Sequence, residues 1–187
     1  MSYLNIKFIT DVVSDLKHTY GTSNPYELFS VLGIILLYHS MGTLSDSCKG
    51  FYFTHLGVKT ITINSDLPEI IQKVILAHEL GHAKLHGNGK GEVQFHEFAL
   101  FDEVSRKEYE ANIFAADLLL EDDEVLEVLN EDGSFFQAAA KLKVPPEMLD
   151  FKFRILKRKG YKLIDPPTYA DSRFLKKNLG GEEYYEC

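Results

Sequence analysis

Ile70-Ile71-Gln72-Lys73-Val74-Ile75-Leu76-Ala77-His78-Glu79-Leu80-Gly81-His82-Ala83-Lys84-Leu85-His86 has the apolar spacing of a helix and carries His-Glu-x-x-His. At about 100° per residue, His82 lies about 40° round from His78 and one turn along, with Glu79 on the same half of the helix. Two neutral imidazoles so placed can share one tetrahedral Zn2+, leaving Glu79 beside the attacking water as general base. Ile71, Val74, Ile75 and Leu85 fall on the stripe of the two histidines, so the pair points into the protein. The alternative is a pair of core histidines satisfied by hydrogen bonds alone. It would bury two imidazoles and a carboxylate that all need polar partners, at considerable cost. The stretch therefore predicts a metal centre.

The bulk properties set the frame. A chain of 187 residues with 45% hydrophobic and 26% charged residues is long enough for one domain with a real core and has ordinary globular composition. A net charge of −8 argues against general nucleic-acid binding. Two cysteines, Cys48 and Cys187, are too few for a disulfide framework and suit a reducing compartment. The N-terminal residues lack the basic-then-apolar pattern of a secretory leader. Gly33 to Tyr38, the longest apolar run near them, is too short to span a bilayer. A cytoplasmic protein with no membrane partner is the expectation.

Working outward from the metal helix, residues 8–20 show helical spacing that ends at Gly21. Asn24-Pro25 caps and opens a second helix over about 25–32, which Gly33 ends. Ile34 to His39, Gly50 to Thr54 and Val58 to Ile63 are strand candidates, the last two joined as a hairpin through His55-Leu56-Gly57. Val58, Thr60 and Thr62 alternate with Lys59, Ile61 and Ile63, which predicts a half-exposed edge strand able to pair with an extended peptide. Residues 87–100 read as a loop beside the site that carries His96 and Glu97.

A catalytic zinc needs a third protein ligand and an open position for water. Phe101 to Leu120 is strongly helical and offers Glu103, Glu108, Glu110 and Asp117. With Glu110 as origin, Ile113, Phe114, Asp117 and Glu103 all lie within about 60°, and Glu108 lies about 160° away. Periodicity thus favours Glu110 or Glu103 over Glu108 and does not separate the first two. His86 shares the stripe with His82, but three successive helical turns splay apart, so it reads as a group that hydrogen-bonds a ligand.

His78-Glu79-Leu80-Gly81-His82-Ala83-x-Leu85-His86 together with Glu110-Ala111-Asn112-x-Phe114-Ala115-Ala116-x-Leu118-Leu119 resembles the ImmA/IrrE family of zinc-dependent metallopeptidases. Asn24-Pro25-Tyr26 and the strand end Ile61-x-Ile63-Asn64 fit the same pattern. The resemblance spans roughly residues 10–160. It departs at Leu120-Glu121-Asp122-Asp123, where a proline is usual. It implies that the third ligand is Glu110, completing His78 and His82, with Glu79 as catalytic base. It also implies an α+β, zincin-like fold: a small, mostly antiparallel three-stranded sheet packed on helices that include the His-Glu-x-x-His helix. A C-terminal helical part, helix–turn–helix-like, follows. The expected organisation is a metallopeptidase core over 1–130, a helical subdomain over 131–165 packed on the core, and a polar tail over 166–187 able to wrap on the body.

The chemistry so implied is hydrolysis of a peptide bond with Zn2+ as cofactor, although the ligand set also tolerates Mn2+ or Fe2+. Tyr38, Tyr109 and His96 are chemically able to stabilise the oxyanion, and the sequence selects none of them. The resemblance further implies a protein substrate, a helix–turn–helix transcriptional repressor of a prophage or mobile element cut at one site. Two rivals stand beside it: a non-hydrolytic antirepressor with structural zinc, and a toxin-like peptidase. Eight basic residues between Lys141 and Lys162 form a solvated face or a docking surface for a protein before they form a DNA reader.

Overall fold

A computed structural model describes residues 5–44, 47–86, 102–131 and 134–176. The expectations for the loop at 87–100, His96, the side chain of Glu103, the end of the tail and Cys187 lie outside the described residues.

Local signals set the first elements. Helix α1 (Ile6–Tyr20) begins where the Asn5 side chain accepts the Lys7 N–H and ends at Gly21, whose φ of 68° is left-handed. Helix α2 (Pro25–Val31) uses Asn24 as its cap and the proline in its first turn. Strands β1 (Ile35–His39), β2 (Gly50–His55) and β3 (Val58–Asn64) form one sheet in the order β1-β3-β2. The β2–β3 hairpin turns at Leu56 and Gly57, both with positive φ, the pair that matches the natural twist of the strands. Its pairing is antiparallel, whereas β1 pairs with β3 in parallel, from Ile35 opposite Thr60 to His39 opposite Asn64.

This corrects one expectation: β3 is the central strand, and the open edges belong to β1 and β2. The alternating threonines suggested a wet face, but the register sets Thr60 between Ile35 and Phe53, and Thr62 between Leu37 and Phe51. A threonine flanked on both sides by larger side chains is shielded from water without being large itself, and Ile61 to Asn64 are all buried. Asn64 closes the strand as a fully satisfied buried amide. Its oxygen accepts the N–H groups of Met41 and Asp66, and its nitrogen donates to the carbonyls of Gly42 and Cys48. That fastens the β1–β2 loop to the entrance of the next helix.

Helix α3 (Glu69–Leu85) lies on the sheet, with Ile71, Val74 and Ile75 in one apolar core with Tyr52, Ile61 and Ile63. Helix α4 (Asp102–Leu119) packs against α3, α1 and the long C-terminal helix α7 (Pro146–Arg158). Between them come α5 (Asp122–Leu129) and α6 (Phe135–Lys141), the latter started by a reciprocal Ser134–Gln137 capping box. Helix α7 serves two cores. Met148, Phe151 and Ile155 join the main core, and Leu149, Phe153 and Leu156 join a second one with Val125, Ala138 and Ala139. The second helix of the helix–turn–helix-like pair is therefore buried along most of its length and is not offered to a DNA groove. After it, residues 170–175 return to the body, burying Ala170, Phe174 and Leu175 in the main core.

Lys152 on α7 is 1% exposed and donates to Asp117 at 2.8 Å and to Asp122 at 2.6 Å. This ties the end of α4 and the start of α5 to α7. Removing one partner of a buried ion pair strands the others, so Lys152→Met should lower unfolding free energy by about 3 kcal/mol in urea denaturation. Burial works against ionisation of Asp122, but hydrogen bonds from Lys152 and Lys159 outweigh it and hold its pKa below the ordinary 3.8. Its contribution is therefore present at neutral pH and lost as pH falls below about 4. The acid limb of the stability curve should be shallower in the variant.

Candidate metal centre

The centre lies where α3 and α4 touch, and a missing side chain lets them touch so closely. A Cβ built on Gly81 would sit 3.1 Å from Ala111 Cα, 3.2 Å from the Ala111 carbonyl and 3.2 Å from Phe114 Cβ. Glycine on α3 against alanine on α4 brings the two backbones together at the level of the histidines.

On this scaffold His78 and His82 are both buried, and their Nε2 atoms lie 3.0 Å apart. Glu108 on α4 faces both, with Oε2 3.3 Å from His78 Nε2 and Oε1 3.4 Å from His82 Nε2. Atoms held about 2.0–2.1 Å from one tetrahedral ion sit about 3.3 Å from each other. The three spacings match that geometry, and the donors are the nitrogen and oxygen types that zinc accepts. Among the described residues, His78, His82 and Glu108 are the cluster that could hold a metal ion.

The remaining imidazole nitrogens are engaged in a way that frees both Nε2 atoms. His78 Nδ1 meets the Asn112 side-chain oxygen at 2.7 Å. An amide oxygen only accepts, so Nδ1 carries a proton, and in the neutral ring that binds a metal the lone pair is on Nε2. His82 Nδ1 meets His86 Nδ1 at 3.2 Å, and His86 Nε2 meets Glu110 Oε2 at 2.9 Å. A carboxylate at the far end places the His86 proton on Nε2, leaves His86 Nδ1 as acceptor, and so makes His82 Nδ1 the donor. Arg106 Nε donates to Glu110 Oε1 at 2.9 Å and so pairs that buried carboxylate.

Glu79 lies beside the cluster, buried, and its Oε2 has no hydrogen-bond partner among the described residues. Burial pushes its pKa up to about 7, against the pull of His78, with the charge of Glu108 adding to the rise. Glu108 is itself desolvated, yet the hydrogen bonds and charges of His78 and His82 hold it far below the usual carboxylate range. For His78, burial favours the neutral ring but is outweighed by Glu108, and its pKa is raised. The site is a carboxylate strongly ionised between two imidazoles, with a second carboxyl poised to take a proton.

The predicted site residues thus divide. His78, His82 and Glu79 come together. Glu110 does not join them: it binds His86 and Arg106, and Glu108 faces the two histidines. The wheel favoured the stripe of Ile113 and Phe114 because a helix packed on one side has a single inner face. Helix α4 is packed by α1, α3 and α7, so both Glu108 and Glu110 are inside. The missed signal is the four-residue spacing of Glu108 and Asn112, which puts a metal-type donor and the partner of His78 on one face.

Residues 30–154 match the model of the IrrE N-terminal-like domain, a peptidase family. The chain belongs to this family. It is 35% identical over 144 residues to "Uncharacterized immunity region protein 2" of Bacillus phage phi105, an alignment covering 77% of this chain and 88% of that protein. It is 30% identical over 154 residues to "Metallopeptidase ImmA" of Bacillus subtilis (strain 168), covering 78% and 84% of the two chains. The α+β architecture with its small three-stranded sheet is consistent with an IrrE-like zincin fold, as the resemblance implied.

Two other sequence candidates find different places in this IrrE-like domain. Tyr109 packs on Phe151 and beneath Arg154, and Tyr38 is exposed on the edge strand β1. Among the described residues, no helix is long and apolar enough to cross a membrane.

The close contact at Gly81 can be tested directly. Gly81→Ala gains helix propensity worth about 1 kcal/mol, but the new methyl meets backbone, which must yield. Overpacking of this kind costs about 1–3 kcal/mol. Thermal unfolding should show no net gain in stability, and metal affinity measured by chelator competition should fall as α4 is pushed away.

Proposed function

We propose that this chain is a zinc-dependent endopeptidase in which His78, His82 and Glu108 hold the metal and Glu79 is the general base. The observation that carries this reading is the meeting of three donors at tetrahedral spacing beside a buried carboxylate with an unpartnered oxygen. A zinc ion bound there would supply Lewis acidity, polarising a peptide carbonyl and making water acidic enough to deprotonate near neutral pH. Glu79 Oε2 accepts the proton of the attacking water and returns it to the departing amine nitrogen. His78 and His82 keep their Nε2 lone pairs for the metal because Asn112 and His86 hold the protons on Nδ1. Glu110, paired with Arg106, acts through His86 and does not bind the metal.

The substrate is a protein, and the names of the relatives favour a regulator of a phage or mobile element. We take it to be a helix–turn–helix repressor cut at a defined site, by the family resemblance and by the immunity-region relative. The protein works in the cytoplasm, where such a repressor resides.

Glu79→Gln should lower cleavage of the cognate repressor by about 10²–10⁴-fold while zinc stays bound, as read by metal analysis and electrophoresis. If the variant still inactivates the repressor without cutting it, the protein is a binding antirepressor and the peptidase reading fails. The donor set is tested separately. Glu108→Ala should abolish stoichiometric zinc, as should His78→Ala, whereas Glu110→Gln should keep zinc with about 10- to 100-fold weaker affinity. The reverse order would make Glu110 the ligand.

A further inference from the structure

Asn112 is fully buried and makes two hydrogen bonds of opposite sense. Its oxygen accepts from His78 Nδ1 at 2.7 Å, and its nitrogen donates to the Ser172 carbonyl at 2.7 Å. A primary amide is nearly symmetric in shape, so burial alone does not decide which end faces the histidine. In the opposite orientation its NH2 would face His78 Nδ1, which would have to become the acceptor. The ring proton would then move to Nε2, the atom that must hold a free pair to bind metal. Something on the far side has to break the symmetry.

The Ser172 carbonyl does so, because a carbonyl only accepts. Turning the amide over would bring two oxygens together at hydrogen-bond distance in a buried place. Ser172 is held in position by its neighbours. Ala170 N–H donates to Asp150 Oδ2 at 3.0 Å, Arg154 donates to the Ala170 carbonyl at 2.8 Å, and the Arg154 guanidinium lies 4.1 Å from the centre of the Tyr169 ring. Phe174, fully buried, packs against Phe151. This segment lies beyond residue 154, where the match to the family model ends.

We propose that residues 169–175 are a positioning element for the metal centre, setting the proton of His78 through the Ser172 carbonyl and the Asn112 amide. The inference rests on His78 being a metal ligand. Its consequence is that the segment's docking and the site's metal affinity are coupled: loosening the segment weakens metal binding with no ligand altered.

The test is a double-variant cycle on the full chain, with zinc affinity read by competition against a chromophoric chelator and folding read by circular dichroism. Phe174→Ala removes the buried plug. The pair Tyr169→Ala/Asp171→Ala loosens the segment through exposed side chains and serves should the first variant fail to fold. Each is made with Asn112 intact and in the Asn112→Asp background, where either carboxylate oxygen can accept from His78 and there is nothing left to orient. With Asn112 intact, loosening should weaken zinc binding by about 10- to 100-fold. In the Asn112→Asp background the same changes should leave affinity within about 3-fold or raise it, since the carboxylate no longer faces the Ser172 carbonyl. Equal loss in both backgrounds would make the segment a structural prop only, and no loss in either would also overturn the proposal. Absence of zinc from the parent chain would instead overturn the metal reading itself.

Discussion

Everything in this molecule turns on two imidazoles and one carboxylate buried against each other at the crossing of α3 and α4. Left without a common partner, such groups would be a standing penalty in an apolar core. Here every Nδ1 has an assigned hydrogen-bond partner, and both Nε2 atoms face Glu108. The approach of the helices at Gly81 and Ala111 sets the distance across which these groups meet. The sheet supports α3 from below, and Asn64 ties the loop before the hairpin to the start of that helix. The fold is thus arranged to hold two helices in one register.

Around the donors the structure keeps proton positions under control. One chain of contacts runs from His82 through His86 to Glu110 and Arg106, and another from His78 through Asn112 to the backbone of Ser172. The first joins α3, its capping residue His86 and α4, and its longest step is 24 residues. The second reaches 60 residues along the chain. Ligand orientation therefore depends partly on the α3–α4 pair and partly on a segment docked against α7.

Much of this was legible from residues alone. Asn24-Pro25, the glycines at 21 and 33, and the hairpin turn at 56–57 act through local backbone preferences, so their elements emerged close to the expected bounds. His78, Glu79 and His82 share one helix, and a helix fixes their relative placement without tertiary help. What the residues alone misplaced or left open needed tertiary information. The central position of β3 depends on the neighbours of Thr60 and Thr62, which a strand does not announce by itself. The choice between Glu108 and Glu110 depends on how many sides of α4 are covered, and an apolar stripe assumes one. A polar tail able to wrap on the body was legible, but not where it docks, because Ala170, Phe174 and Leu175 do the holding and only packing reveals which core they join.

The central claim is that one metal ion is shared by His78, His82 and Glu108. Anomalous diffraction at the zinc absorption edge from crystals of the zinc-loaded protein tests it most directly. The account predicts one strong peak about 2.0–2.2 Å from His78 Nε2, His82 Nε2 and a Glu108 oxygen, with Glu110 still bound to His86. A peak coordinated by Glu110 in place of Glu108, or no peak between the two helices, would contradict it.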